Sequence, residues 1–154
     1  MDDLYIQDDF FTAEQYSQIL QDSKHSWEIR DSYMLYKDLT SKFYIEDCVD
    51  HIKKQLNKSV SIYRAYSHAQ KKDLLPAIHR DVNATHTAIL FVNDVLHPNW
   101  LGGTIVWTDK PNYVEPKSNR MLIFKAELEH TGSPLICDQF RIQCIWKINI
   151  DTLK

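Results

Sequence analysis

Hydrophobic positions in the first part of the chain recur at helical spacing. Thr12 and Gln15 form a capping-box pattern, and the apolar face that follows predicts a helix over about residues 13–23. In "SKFYIEDCVDHIKKQLN" (residues 41–57) apolar residues again recur every three or four positions, with lysines between them, which predicts a second helix. Residues 1–58 are therefore expected to form a helical support region.

The hydrophobic period changes from helical to strand-like after Ser59. Five segments rich in Val, Ile, Tyr, Phe and Trp follow, separated by turn residues: "VSIYRAYS", "HTAILFVNDV", "GGTIVWTD", "RMLIFKAE" and "FRIQCIWKINI". Helices followed by strands predict an α+β or mostly β fold, with the N-terminal helices packed on one sheet. Residues 1–154 are expected to be a single domain whose β core spans 59–150. "SHAQKKDLLPA" (67–77) is predicted to be a loop and a candidate lid, and 109–119 a second loop.

Composition narrows the class of protein. The chain is 44% hydrophobic and 25% charged, as in ordinary globular proteins, and its net charge of −3 argues against unspecific nucleic-acid binding. No apolar run reaches the roughly 18 residues of a membrane span, and the start "MDDLYIQDDF" has no signal-peptide pattern. Three cysteines without a Cys-x-x-Cys pair argue against a disulfide framework. We expect a soluble, cytoplasmic protein without a membrane partner; the sequence leaves its oligomeric state open.

A candidate metal site begins with the pair His79 and Asp81. Residues i and i+2 of an extended segment point to the same side, so both side chains could reach one metal, although such pairs are common by chance. His130 follows the apolar segment "MLIF", and Arg141 comes eleven residues later. Two histidines and one carboxylate suit non-heme Fe(II), because they leave coordination positions open.

The last predicted strand has two different faces. The face expected to pack against the helices carries Ile142, Cys144, Trp146 and Ile148, and the other carries Arg141, Gln143, Ile145 and Lys147. A guanidinium directed into a barrel needs an anion, and its planar fork matches a carboxylate. The alternative for Arg141 is a salt bridge to one of the 21 acidic residues of the chain.

The order of these residues resembles the Fe(II)/2-oxoglutarate dioxygenases, most closely the prolyl 4-hydroxylase-like branch. The landmarks in chain order are His79-x-Asp81, Gly102-Gly103, Pro116, Asn119, Arg120, His130 and Arg141. The resemblance covers about residues 60–150 and implies a double-stranded β-helix (jelly-roll, cupin-like) barrel. It implies that His79, Asp81 and His130 hold Fe(II) and that Arg141 pairs with the distal carboxylate of 2-oxoglutarate. The implied reaction uses O2 and decarboxylates 2-oxoglutarate to succinate.

Four further residues are candidates for binding. Tyr66 corresponds to a tyrosine that many relatives place near the co-substrate, with an aromatic barrel wall as the alternative. Thr87 shares a strand face with Ile89 and is expected to line the co-substrate pocket. Arg64 has the strand parity of Tyr66 and is a candidate for holding an anionic substrate group, against an ordinary ion pair at the barrel rim. His68, in the predicted lid, is a weaker candidate for substrate contact.

Two positions depart from the resemblance. Phe91 stands where several relatives have a tyrosine bonded to the distal carboxylate, which puts the affinity for the co-substrate in question. Asn119 replaces the glycine that is common in the turn before "MLIF", a mild change because Asn tolerates left-handed backbone. Of the remaining histidines, His86 is expected at the surface or behind the metal ligands; the others expected to be solvated are His25, His51 and His97.

The resemblance implies hydroxylation of a peptidyl proline or of a small molecule such as a free amino acid. A non-enzymatic, cupin-like metal- or ligand-binding module is the alternative from another class. A nucleic-acid demethylase is a third reading, but that branch carries a second arginine six residues after the co-substrate arginine. Lys147 occupies that place here.

Overall fold

We describe a computed structural model of the chain, which covers residues 2–24, 28–29, 34–72, 74–93 and 97–151. These residues contain two α-helices, α1 (Ala13–Asp22) and α2 (Ile45–Leu56). Their strands are β1 (Leu4–Gln7), β2 (Glu28–Ile29), β3 (Met34–Asp38), β4 (Val60–Gln70), β5 (His86–Phe91), β6 (Thr104–Trp107), β7 (Pro111–Val114), β8 (Met121–Lys125), β9 (His130–Gly132) and β10 (Arg141–Ile150). A single 3-10 turn, Pro98–Trp100, precedes β6.

The strands form two antiparallel sheets. The major sheet has the order β1-β8-β5-β10-β4-β3-β2, and the minor sheet has the order β7-β6-β9. Between the sheets lies an apolar cluster to which both contribute, with Ile89, Phe91 and Ile145 from the major sheet and Val106 and Val114 from the minor one. This two-sheet arrangement agrees with the predicted jelly roll, but hydrogen bonding does not close the strands into a continuous barrel.

The two helices cover the outer face of the major sheet. Ile19 of α1 and Ile52 of α2 are fully buried in one cluster with Leu90 and Trp146 of the sheet. Burying a side chain of this size stabilises the fold by roughly 1.5–3 kcal/mol, so this helix–sheet layer is the main core. Cys144, Trp146 and Ile148 belong to the cluster and Ile142 packs against it, which confirms the predicted helix-facing side of β10. Neither described helix has the length and apolar character that crossing a membrane requires.

Several strands differ from the expectation drawn from the sequence. Residues 1–58 contain β1, β2 and β3 besides the two helices, and β7 lies in the segment predicted to be a loop. β4 continues to Gln70 and so includes the first four of the eleven residues of the predicted lid. Pairing with a partner strand that is distant in sequence decides these elements, since β1 pairs with β8 and β3 pairs with β4. Their own segments are short and carry weak alternation.

The turn at Asn119 ties the N-terminal segment to the sheet. Asn119 has a left-handed φ of 57°, and its side chain exchanges two hydrogen bonds with the backbone of Phe11, at 3.1 and 2.8 Å. Next to it, Arg120 Nε donates to Asp8 Oδ1 at 2.5 Å, and Lys117 Nζ reaches the other carboxylate oxygen at 2.7 Å. These ion pairs hold the pKa of Asp8 well below its usual range. Asparagine is therefore favourable at position 119, because its side chain makes two hydrogen bonds to Phe11 that a glycine could not make.

Candidate metal centre

A cavity of about 290 Å³ opens between the two sheets. Its walls come mainly from β4, β5 and β10 of the major sheet and from β6 and β9 of the minor sheet. Seven of the eight predicted site residues line it: Arg64, Tyr66, His68, His79, Thr87, His130 and Arg141. The eighth, Asp81, lies behind the wall and is bonded to Thr87 and Lys147, which do line it. The structure therefore brings all the predicted site residues to one place.

His79, Asp81 and His130 come together at one edge of this cavity. Their nearest ligand atoms all lie within 4.8 Å of one another. The distance from His130 Nε2 to Asp81 Oδ2 is 3.3 Å, and that from His79 Nε2 to Asp81 Oδ1 is 3.8 Å. Adjacent ligands of an octahedral ion with bonds of about 2.1 Å are roughly 3 Å apart, so small side-chain movements would let all three bind one divalent ion.

The backbone places the two histidines opposite each other. His79 N–H donates to His130 O at 3.0 Å, and His130 N–H donates to His79 O at 2.9 Å. This reciprocal bridge brings the ring centroids to 4.3 Å. Asp81 follows two residues later, and its N–H is bound by Ala126 O at 2.9 Å. His79 therefore lies in an isolated β-bridge and not in one of the strands β1–β10.

Hydrogen bonds fix which nitrogen of each ring faces the cavity. His79 Nδ1 lies 3.0 Å from Ala77 O, and His130 Nδ1 lies 2.9 Å from Leu128 O. A carbonyl oxygen can only accept, so each Nδ1 carries a proton and each Nε2 is the nitrogen that faces the site. Histidine ligands of metals have this second hydrogen bond in general, because it holds the ring in place. The donor set is therefore prepared for a cation.

Asp81 is held as an ionised carboxylate by its surroundings. Burial raises the pKa of its carboxyl, but hydrogen bonding to His130 and the adjacent charge of Lys147 outweigh that effect and lower the pKa below its ordinary value. Thr87 Oγ1–H donates to Asp81 Oδ2 at 2.5 Å, and Lys147 Nζ contacts the same oxygen. Thr87 thus lines the cavity as predicted, and it also supports the acidic ligand. The Lys147 contact was not predicted, although strand parity had placed Lys147 on the correct face of β10.

Arg141 is a buried cation that has no anionic partner among the described residues. Its side chain is 1% exposed, and its Nη1 donates to the carbonyls of Gly102 and Gly103 at 2.9 and 3.1 Å. Nη2 contacts Gln70 Oε1, whereas the buried Nε has no hydrogen-bond partner in the part of the chain that the structure describes. No carboxylate in the described ranges pairs with it, so the predicted alternative of a salt bridge is not observed there. Burial lowers the pKa of this guanidinium to about 10, still well above neutral pH.

Two glycines allow the backbone to approach Arg141 closely. A Cβ on Gly132 would lie 2.9 Å from Nη2 and 3.0 Å from Nη1 of Arg141. Gly102 has a φ of +80°, and a Cβ there would lie 3.4 Å from Arg141 Cδ and 2.8 Å from Leu135. The Gly102-Gly103 landmark therefore has a physical reason. It supplies acceptors to the guanidinium and leaves room for its stem.

The other predicted binding residues, Arg64, Tyr66 and His68, lie on alternate positions of β4 and line the same wall of the cavity. Tyr66 packs against Tyr36 with a ring distance of 5.3 Å, and Arg64 lies over both rings. The rim ion pair considered for Arg64 is absent from the part of the chain that the structure describes. His68 belongs to β4, not to a loop, and its Nε2 lies 2.9 Å from Gln143 Oε1. Burial and then the charge of Arg141 lower the pKa of His68 to about 4, so its ring is neutral at pH 7.

The remaining expectations concerned Phe91 and the histidines outside the candidate site, and only some of them are confirmed. Phe91 is fully buried between the sheets and does not line the cavity. His86 is also outside the cavity, with Nδ1 2.9 Å from Thr85 Oγ1. His97 is exposed as expected, whereas His51 is not simply solvated, because its Nε2 lies 2.7 Å from Phe10 O and its ring packs on Phe10 and Phe11. The expectation for His25 concerns a position outside the described residues.

Solved structures of 2-oxoglutarate/Fe(II) oxygenases have the same fold. An oxidoreductase of the 2OG-Fe(II) oxygenase family from Burkholderia pseudomallei superposes with a TM-score of 0.75 at 12% identity, covering 95% of this chain and 84% of that chain. For HygX of Streptomyces hygroscopicus with nickel, 2-oxoglutarate and hygromycin B bound, the TM-score is 0.73 at 9% identity, with coverages of 95% and 82%. A Trichoplax adhaerens prolyl hydroxylase in complex with a hypoxia inducible factor peptide gives 0.72 at 14%, with coverages of 95% and 83%.

These similarities confirm the predicted fold class and the resemblance at the level of fold. No protein-family model matches the sequence, and no curated protein matches it either. With identities of 9–14%, the similarity concerns the arrangement of the chain and not its chemistry. What the chain does must therefore be argued from its own residues.

Proposed function

We propose that this chain is an Fe(II)- and 2-oxoglutarate-dependent oxygenase. The observation that carries the proposal is the buried guanidinium of Arg141, which has no carboxylate partner among the described residues and lines the cavity whose edge holds the cluster of His79, Asp81 and His130. A buried charge is costly unless it is paired, so a fold that keeps one at a cavity wall favours an anionic ligand there. The carboxylate of 2-oxoglutarate matches the planar fork of Arg141.

In this proposal His79, Asp81 and His130 would hold Fe(II), and a set of three protein ligands would leave coordination positions open. Iron, together with 2-oxoglutarate and O2, supplies the oxidising chemistry, in which 2-oxoglutarate is decarboxylated to succinate. Asp81 stays ionised because Thr87 and Lys147 contact it. The two histidine rings keep Nε2 available because each Nδ1 is bound to a backbone carbonyl. Arg141 orients the co-substrate by binding its distal carboxylate.

The reaction on the primary substrate is hydroxylation of a peptidyl proline or of a small molecule. Arg64, Tyr66 and His68 line the remaining wall of the cavity and are the residues that would contact this substrate. Their contribution is to position the substrate and to exclude water from the reacting centre.

The test is anaerobic titration of the Fe(II)-loaded protein with 2-oxoglutarate, in which the visible charge-transfer band is followed. A saturable band is expected for the wild type and for His86→Ala, a matched histidine outside the cavity. The band should be lost in His79→Ala. If iron binds but no band forms in the wild type, the proposal is wrong.

A second assay separates an enzyme from a non-enzymatic binding module with the same site. In air, the loaded wild type is expected to release succinate slowly even without a primary substrate. A protein that shows the charge-transfer band but forms no succinate under any condition would be a binding module.

A further inference from the structure

Arg64 is a cation held by aromatic rings at the cavity wall. Its guanidinium carbon lies 5.1 Å from the centroid of the Tyr36 ring and 5.0 Å from that of Tyr66. The two rings are 5.3 Å apart and inclined by 35°, so they form one support beneath the guanidinium. Such contacts are favourable by about 0.5–1 kcal/mol, restrict a flexible side chain and leave its N–H groups able to bind something else.

Those N–H groups have no acceptor within the described part of the chain. No hydrogen bond and no ion pair of Arg64 is observed there, in contrast to Arg80 and Arg120, which are both paired with carboxylates. Arg64 is partly buried and lines the cavity. A guanidinium in this position presents a rigid, planar set of donors to whatever enters.

Arg64 also lies directly opposite another cation. Lys147 of β10 is its partner in the strand register, and both side chains line the cavity. Like charges directly opposite each other across two strands are destabilising. Lys147 is compensated by its ion pair with Asp81, whereas Arg64 is not. The arrangement is unfavourable in the empty protein and becomes favourable when an anion lies between or beside the two cations.

The charges of the whole site support the same conclusion. Among the described residues, three cations line the cavity, Arg64, Arg141 and Lys147, and no carboxylate does. When the negative charge of Asp81, behind the wall, is included, the site has a net charge of two positive units. A divalent metal ion and the 2-oxoglutarate dianion cancel each other, so the loaded site keeps an excess of two positive charges. Lys147 is paired with Asp81 and Arg141 is assigned to the co-substrate, so Arg64 is the cation that is left for another ligand.

We infer that Arg64, supported by Tyr36 and Tyr66, binds an oxyanion of the primary substrate, and that this substrate is therefore a small acid rather than a neutral peptide segment. The inference rests on the proposed function. The cavity of about 290 Å³ must also hold the co-substrate, which favours a small molecule. A carboxylate and a phosphate share the required chemistry, because both match the guanidinium fork.

The experiment measures binding of matched acids and amides to the wild type saturated with Zn(II) and 2-oxoglutarate. Zn(II) prevents turnover, and the bound co-substrate keeps the probes away from Arg141. The probes are the free α-amino acids and the aliphatic mono- and dicarboxylic acids of two to six carbons, each with its primary amide, and inorganic phosphate. Ligand-observed NMR gives the dissociation constants.

Three variants accompany the wild type. Arg64→Gln removes the charge and the fork, Arg64→Lys keeps the charge alone, and Arg80→Gln removes an exposed arginine that is one residue from His79 but pairs with Glu129. Thermal unfolding checks that each variant is folded. Arg64→Gln should fold well, since it relieves the repulsion with Lys147.

At least one acid should bind the wild type about tenfold or more tightly than its amide. Arg64→Gln should lose that preference, Arg64→Lys should retain part of it, and Arg80→Gln should retain all of it. If phosphate binds in place of the carboxylates and requires Arg64, the oxyanion is a phosphate and the inference stands. Amides that bind as tightly as acids, acids that bind Arg64→Gln like the wild type, or the absence of any binding acid or phosphate would each overturn it.

The two proposals fail in different ways. If the Fe(II) protein shows the 2-oxoglutarate charge-transfer band but no acid or phosphate binds, the oxygenase proposal stands and the substrate inference is wrong. If the band itself is absent, the proposed function is wrong and the substrate assignment falls with it.

Discussion

Replacing Arg141 with methionine should separate ligand binding from folding. Arg141 reaches the cavity with a guanidinium that has no anionic partner in the described chain. Losing a two-pronged, charge-assisted contact with a carboxylate costs about 3 kcal/mol, which weakens 2-oxoglutarate binding roughly 100-fold. Methionine fills a similar volume without a charge, so the change removes the proposed anion contact and little of the packing.

The same substitution should change the stability of the metal-free protein only slightly. The acceptors Gly102 O, Gly103 O and Gln70 Oε1 each lose a bond from Arg141, at about 1 kcal/mol apiece. Removal of a buried, unpaired charge offsets part of this loss. We therefore expect the free energy of unfolding to fall by less than about 2 kcal/mol.

The assay is denaturant unfolding of the Zn(II)-loaded protein with and without 2-oxoglutarate. At a ligand concentration of 100 times the wild-type Kd, the wild type gains about 2.7 kcal/mol, and a variant that binds 100-fold more weakly gains only about 0.4 kcal/mol. Arg80→Met, an exposed arginine paired with Glu129, serves as the control and should behave like the wild type. Equal stabilisation of Arg141→Met by 2-oxoglutarate would refute the assignment of the distal carboxylate. A variant that is unfolded without ligand would show a mainly structural role instead.

Three further changes test neighbouring features. Gly132→Ala should displace the Arg141 guanidinium, since the new Cβ would lie 2.9 Å from Nη2. The Kd for 2-oxoglutarate, measured by calorimetry, should rise about tenfold. An unchanged Kd would show that the close approach of Gly132 to Arg141 does not matter for binding. Asn119→Gly should lower the free energy of unfolding by about 2 kcal/mol because two hydrogen bonds to Phe11 are lost; equal stability in urea titrations would show that they contribute nothing. His68 has its pKa lowered to about 4 by burial, so the folded state loses stability as pH falls from about 6.5 to 4. In metal-free His68→Gln this loss should be smaller, by at most about 3 kcal/mol, and identical pH profiles in urea unfolding would contradict it.

The sequence was most informative where a residue's position depends on local geometry. Strand parity placed Arg141 and Lys147 on one face of β10, and the i, i+2 spacing placed His79 and Asp81 on one side of the chain. The position of His130 relative to them follows from the reciprocal backbone bridge with His79, which joins segments about fifty residues apart. No local pattern predicts that bridge, and only the ordered set of family landmarks pointed to it.

Local sequence patterns could not predict the contacts between strands that are distant in the sequence. The support of Arg64 by Tyr36 requires β3 to pair with β4, and the short β3 segment has little alternation of its own. The ion pair between Lys147 and Asp81 likewise depends on how the chain after Ala77 passes over β10. The predicted lid was wrong over Ser67–Gln70, because pairing with β10 extends β4 to that point.

The length of β4 has a consequence for the size of ligand that the cavity can accept. Arg64 and Gln70 lie six residues apart on this strand, both at the cavity wall, and a strand advances about 3.3 Å per residue. Their Cα atoms are therefore about 20 Å apart, with Gln70 beside Arg141 at one end. The length of this strand therefore limits the combined length of the co-substrate, metal ion and substrate that are proposed to bind here. Because Arg64 and Gln70 belong to the same strand, a substitution at either end changes the reach of the side chain but not this separation of the backbone.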